Sequence, residues 1–514
     1  MYSARFAPDG SVVYSARWDG QPVDTFTVRR EYPESRSLGL ASHLLSVSPT
    51  GDVAVLRGPR FLWHYEWKGT LATAPMGGGA PRDVQEHVME AGYAPDGRLA
   101  LVIQEIDGGE CRLEFPPGRV LYATPGWISH PRVSPAGDRV AFLDHPVLRD
   151  DSGSVVVVDI SGKKTVLSAG WLWEEGLAWS PNGNEVWFSA SKSGPALSIY
   201  AVTLQGRTRE VLSVPGQLVV EDTASDGRLL VSRATVRSEV RSIVPGARER
   251  DLSWLDYSIL DDLSADGKLV LISEESETVE PSLLCLRKTD GSPLIRLGEG
   301  CCGALSPDGK HAITSRVHVS PGQMTLLPVG TGTVRLLDRG PVDTYGFGNV
   351  LGWFPNGRKL LFLGSEASKP FRAYVQEISG GPPTPVFGAG FLPIFKLISP
   401  DEKSVPCQEN QKWFLCSLEN KEPKPLNGLG EGEYPARWTP DGRFLYVYDP
   451  ATAPLRFFKV EVANGRRTPW KEATPSEPVG MNGVTRMAIS SDGQTIVYSF
   501  ERILGDLFIV EGVK

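Results

Sequence analysis

The 514-residue chain has no run of about 18 apolar residues, so no helix of it would span a bilayer. No basic segment followed by an apolar stretch opens it, which excludes a recognisable signal peptide and leaves the compartment open. Blocks of like charge are missing too: a net charge of −8 is spread along the chain, a poor surface for nucleic acid. No stretch is amphipathic at helical spacing. Cysteine is scarce. Cys111, Cys285, Cys301, Cys302, Cys407 and Cys416 show neither metal-ligand spacing nor a disulfide framework, and read as buried free thiols.

Chemistry-bearing motifs are also absent. There is no Gly-x-Ser-x-Gly elbow, no His-Glu-x-x-His and no phosphate loop. Gly77-Gly78-Gly79 lies between Pro75 and Pro81 with no lysine after it, and Lys163-Lys164 fails the same test, so both read as turns. Seven histidines (His43, His64, His87, His130, His145, His311, His318) are scattered, and sequence does not pair them into a metal site or a triad. No catalytic residue, cofactor or metal is therefore assigned, and the chain reads as a non-enzyme.

What is present is a repeat. Twelve times a large apolar residue is followed, two positions on, by a Pro-Asp-Gly-like turn ending at Gly10, Gly51, Gly97, Gly137, Gly183, Gly227, Gly267, Gly309, Gly357, Glu402, Gly442 and Gly493. Proline presets φ, Asp or Asn tolerates the bridge region, and glycine takes the left-handed position that closes a hairpin. The apolar residues ahead of the turns are Phe6, Val47, Tyr93, Val133, Trp179, Leu263, Leu305, Trp353, Ile398, Trp438 and Ile489, with Thr223 the exception. These are the expected core. Strand-like runs follow each turn, as in Glu185-Val186-Trp187-Phe188-Ser189. A period of 40 to 51 residues fits a four-stranded propeller blade. The expected fold is all-β: tandem β-propellers of twelve four-stranded blades. Two six-bladed rings, 1–255 and 256–514, are the simplest division, with seven plus five also open because no linker marks the boundary.

A ligand is expected on the face opposite the Pro-Asp-Gly turns. Candidate positions are Trp18 and Asp19, the insertion 60–71 carrying Trp63, His64, Tyr65 and Trp67, and the acidic loop 144–151. Trp171, Trp173, Glu174 and Glu175 follow, then Trp254, Asp256, Tyr257, Asp261 and Asp262. Aromatics beside carboxylates suit a protein, a peptide or a small cationic ligand. Tryptophans filling the spaces between blades would explain the same residues by packing alone. The aspartates of the turns are explained by turn geometry.

Phe6-Ala7-Pro8-Asp9-Gly10 and Leu305-Ser306-Pro307-Asp308-Gly309 resemble the WD40-like (PD40) repeats of TolB-type propellers. The opening through Trp18-Asp19-Gly20, Glu249 to Asp256, Leu286 to Pro293 and Asp506 to Gly512 are similar to the region after the kinase domain of bacterial eukaryotic-like serine/threonine kinases. The resemblance implies a sensor or interaction module, normally attached to a kinase, with no membrane insertion of its own. A kinase's Gly-rich loop, His-Arg-Asp and Asp-Phe-Gly are missing, so no catalytic residue carries over. A TolB-like periplasmic protein and the propeller part of a prolyl-oligopeptidase-like peptidase are the alternatives. The last repeat is expected to stop after a third strand, Asp506 to Val510, leaving one blade with an open edge.

Overall fold

The computed structural model describes residues 2–513 except 19–20, 64, 106–108, 148–149, 194–195, 277–278, 316–320, 347–350, 367–368, 370, 387–391, 410–411, 420–421, 431 and 451–453. Among the described residues there is no helix, and antiparallel strands form a series of mostly four-stranded sheets. The first is typical: Ser3–Phe6, Val12–Ala16, Asp24–Arg29 and Tyr32–Ser37 pair in chain order. The architecture is that of a β-propeller.

All twelve predicted turns form, each joining the first and second strands of a sheet. In every copy the N–H of the last turn residue donates to the carbonyl three residues back, from Gly10 to Ala7 at 3.0 Å through Gly493 to Ser490 at 2.9 Å. Glu402 does the same and holds φ at 62°, in the left-handed region that glycine takes elsewhere. Where the turn opens with Ser or Thr and carries an Asp, the hydroxyl donates to that Asp, as in Ser306 to Asp308 at 2.6 Å.

The apolar residue ahead of each turn enters the core as expected: Val133, Trp179, Leu263, Leu305, Trp353, Ile398, Trp438 and Ile489 are buried, and Phe6, Val47 and Tyr93 half-buried. Where it is tryptophan it also latches the preceding sheet. The indole N–H of Trp179 donates to Arg132 O at 2.9 Å, that of Trp353 to Ala304 O at 3.1 Å, and that of Trp438 to Leu397 O at 2.8 Å. Each acceptor immediately precedes the equivalent core residue of the earlier repeat.

Most first strands carry a register shift just upstream of that residue, between Ser129 and Arg132, Glu175 and Leu177, Val220 and Asp222, Leu260 and Asp262, or Cys301 and Ala304. Such bulges re-aim side chains. At one of them Gly176, with φ 73°, lets its backbone approach the next first strand, where a Cβ would lie 2.5 Å from Val220 O.

The chain divides into two compact units, Met1–Val236 with Ile503–Lys514, and Arg237–Arg502. The division expected at 255/256 thus falls earlier, and the last residues return to the first unit. The reason is that no loop marks it: two 15-residue strands, Leu229–Ile243 and Ile496–Val510, pair with each other and run through it. Asp506 to Val510 is accordingly the end of a long second strand, not a separate third strand. In the first unit, first strands touch in the order Ser3–Phe6, His43–Val47, Arg82–Tyr93, Trp127–Val133, Trp173–Trp179, Gln217–Thr223, and the last touches the first again. In the second unit Arg250–Asp251 pairs with the 241–242 end of Leu229–Ile243.

One cysteine expectation is overturned. Cys407 and Cys416, on the paired strands Ser404–Glu409 and Lys412–Ser417, form a disulfide; a spacing of nine gives no framework in sequence, but antiparallel pairing brings the two Cα atoms to 5.9 Å. Cys111, Cys285, Cys301 and Cys302 are buried free thiols, as expected.

Candidate functional site

In the first unit the insertion 60–71 is a hairpin extension: Asp52–Trp63 and Glu66–Pro75 run long, and Tyr65 sits at their turn. Its ring lies 5.4 Å from Trp127 and 5.6 Å from His130, and its hydroxyl donates to Glu174 O at 2.6 Å. Trp127 stacks on His145 at 3.8 Å, and its indole donates to Asp150 O at 3.1 Å. An aromatic lid, two histidines and the acidic loop thus meet at the starts of the strands Trp127–Val133 and Trp173–Trp179.

Ser129 Oγ lies 3.0 Å from both His130 Nδ1 and His145 Nε2, while His145 Nδ1 faces Ser152 O at 3.2 Å. A carbonyl only accepts, so Nδ1 of His145 carries its proton and Nε2 accepts from Ser129. Burial pushes the His145 imidazole down to about 3 and His130 well below the usual range, so both are neutral. Ser129 is 1% and His145 0% exposed, which makes this a closed structural network and not a nucleophile presented to substrate.

Glu174 differs from its neighbours. It is 1% exposed, and neither carboxylate oxygen has a hydrogen-bond partner among the described residues. Burial first, then the Asp144 charge, pushes its carboxyl well above the ordinary range. Asp144 spends one oxygen on Lys164 at 2.6 Å and Tyr122 at 2.9 Å, and its other oxygen is unpartnered among the described residues. Gly153 makes room: a Cβ there would meet Glu174 Oε2 at 2.7 Å, Asp144 O at 2.8 Å and His145 Nδ1 at 3.0 Å. The arrangement can hold a proton, or a small cation in its place.

Not all expected residues gather there. Trp171 and Trp173 shortly precede Glu174 in sequence. Trp171 is buried, 4.7 Å from Tyr200, with Lys192 Nζ 4.9 Å above its ring. These residues with Ser168, Thr208 and Arg209 line a shallow groove of about 280 Å³. Trp67 is half-buried against His43 at 4.5 Å, so it packs instead of lining the mouth. Trp18 is 53% exposed and meets Phe26 edge-on at 6.4 Å. Asp19, His64 and the side chain of Trp63 lie outside the described residues. Trp254 and Asp256 are exposed in the second unit, Asp256 lying 3.7 Å from Arg237.

Asp261 and Asp262, expected in a binding loop, lie in the strand Tyr257–Leu263 and fasten the next first strand: Gly303 N–H donates to Asp261 and Leu305 N–H to Asp262, both at 2.9 Å. Glu221 and Asp222 do the same for Ala4 at 3.0 Å and Phe6 at 2.9 Å. Sequence reasoning named Tyr65 and Glu174 as candidates but missed their meeting, and it missed this staple. The signal for the staple was legible: paired acids directly before the core position of the repeat.

The bulged first strands and the mouth above them define the class, an all-β protein of propeller architecture. No family model matches the chain, and no curated protein matches it. Among solved structures it is similar to a TolB from Agrobacterium tumefaciens, at 18% identity over 52% of this chain and 99% of that one, TM-score 0.39. It is similar also to the tricorn protease, at 13% over 98% and 58%, TM-score 0.31, and to a GH74 enzyme from Niastella koreensis, at 11% over 97% and 90%, TM-score 0.34. No helix among the described residues is long and apolar enough to cross a membrane.

Proposed function

We propose that the chain is a non-catalytic binding or sensor module whose first unit takes up a small organic cation, an ammonium or guanidinium group of a ligand or peptide, at Glu174 beneath Tyr65. The carrying observation is that buried carboxyl with both oxygens unpartnered among the described residues, on the residue whose backbone carbonyl holds the Tyr65 hydroxyl at 2.6 Å. A cation there would replace the proton on Glu174, so uptake releases a proton and strengthens as pH rises. Thermal-shift and calorimetric titrations with alkylammonium and alkylguanidinium ions test this: stabilisation that vanishes in Glu174→Gln is expected. No response to any of these ions, or an equal response in the variant, would sink it.

Six of the twelve turns lie in each unit, which supports two six-bladed rings. The resemblance to the region following bacterial serine/threonine kinase domains supports a place as the sensory portion of such a signalling protein. The Cys407–Cys416 disulfide favours an extracytoplasmic setting, where such bonds persist, and suits the TolB-like periplasmic reading equally. Thiol titration of the unreduced, denatured chain should find four free thiols, rising to six after reduction. Six before reduction would remove that support.

A further inference from the structure

Most sheets of the first unit run to a fourth strand. The sheet built on Gln217–Thr223 and Leu229–Ile243 does not: its third strand is the 503–510 part of Ile496–Val510, and no described strand pairs with its outer side. Backbone donors and acceptors along that side form an open template.

Most other outermost strands of this unit are blunted. Tyr32–Ser37 carries Pro33 and Arg36, Lys164–Trp171 begins with a lysine, and Thr208–Leu212 contains Arg209. Val120–Thr124 has no such residue itself but follows Arg119. Residues 503–510, Ile-Leu-Gly-Asp-Leu-Phe-Ile-Val, contain no lysine, arginine or proline. That composition matches an interior third strand such as Gly153–Asp159, which is paired on both sides. Leu507, Ile509 and Val510 pack into the unit's core clusters, whereas Leu504 and Phe508, four residues apart on one face, are 50% and 44% exposed. The only charge on 503–510 is Asp506.

We propose that this edge docks an extended basic segment of a partner protein, which adds as the fourth strand of the sheet. The open backbone supplies the ladder, Leu504 and Phe508 receive apolar side chains, and Asp506 pairs with a lysine or arginine. A second copy fits less well, since two-fold pairing centred on this segment brings Asp506 against its own equivalent.

The test is fluorescence anisotropy of a labelled ten-residue peptide alternating valine or threonine with arginine, titrated with the full chain. Saturable binding is expected. It should weaken at least about tenfold in Asp506→Lys and in Phe508→Lys, and about tenfold when alternate peptide amides are N-methylated, which keeps the charge and removes the ladder. Both substituted residues are exposed, and an unchanged melting temperature verifies that the fold is retained. Lack of saturable binding overturns the proposal, as does equal binding by the N-methylated peptide or by a glutamate analogue. A dimer in sedimentation equilibrium that Phe508→Lys dissociates would assign the edge to a second copy and overturn it too.

Discussion

The two units use the same acidic staple and balance it differently. In the first, Glu221 and Asp222 hold Ala4 and Phe6, and the nearest cation, Arg5, stands 3.5 Å from Glu221 while donating to its carbonyl at 3.0 Å. Burial raises both carboxyls and, with Arg5 adding repulsion, lowers Arg132 to about 9. In the second, Asp261 and Asp262 hold Gly303 and Leu305, and Arg486 sits 2.6 Å from Asp261, with Lys396 donating to the carbonyls of Asp261 and Gly303. One backbone solution thus tolerates different electrostatic settings. The bulge and the N–H acceptors are constant, and the cation is supplied by whichever strand has one.

Breaking the tight pair should expose that difference most. Arg486→Met removes the ion-pair partner of the buried Asp261 and leaves Lys396 as the cation close by; it should cost the second unit about 3–5 kcal/mol, lowering its melting transition by about 10 °C in calorimetry. Glu221→Gln should cost the first unit less, about 1–2 kcal/mol, because the looser Arg5 keeps its carbonyl partners. Equal losses would mean that the 2.6 Å and 3.5 Å pairs are energetically alike.

A pH comparison sharpens the contrast. The raised carboxyl of Glu174 gives the first unit stability that is present below about pH 4.5 and lost as pH rises through its folded-state value. Glu174→Gln should therefore match the parent at pH 4 and melt about 3 °C higher at pH 8, in the first unit alone. The depressed imidazoles of His43 and His145 act in the opposite direction, and the first unit should lose stability as pH falls from 6.5 toward 3. A flat difference between pH 4 and 8 would show that Glu174 is not buried as described.

The smallest effect should be shared. Trp179→Phe in the first unit and Trp438→Phe in the second each remove one indole latch and should each cost about 1 kcal/mol, read by denaturant unfolding. A loss in one unit only would mean that the latch is not a common device.

Turns and core were legible because local chemistry sets them. Pro-Asp-Gly closes a hairpin wherever it stands, and even Glu402 follows the repeat. The unit division was not legible, since Leu229–Ile243 and Ile496–Val510 are ordinary strand sequence on both sides of it. Nor was the meeting of Tyr65 with Glu174, 109 positions apart, because side-chain convergence depends on a long-range arrangement that no local spacing encodes. Asp261 and Asp262 were visible as a pair, but their partners, about forty residues downstream, could not be read from spacing alone.

The route of the chain also fixes an order of events during synthesis. Residues 503–510, which supply the third strand of the first unit's final sheet, leave the ribosome only after all of 237–502. The second unit can therefore mature while the first is still incomplete, so that of the two units the one begun first is the one finished last.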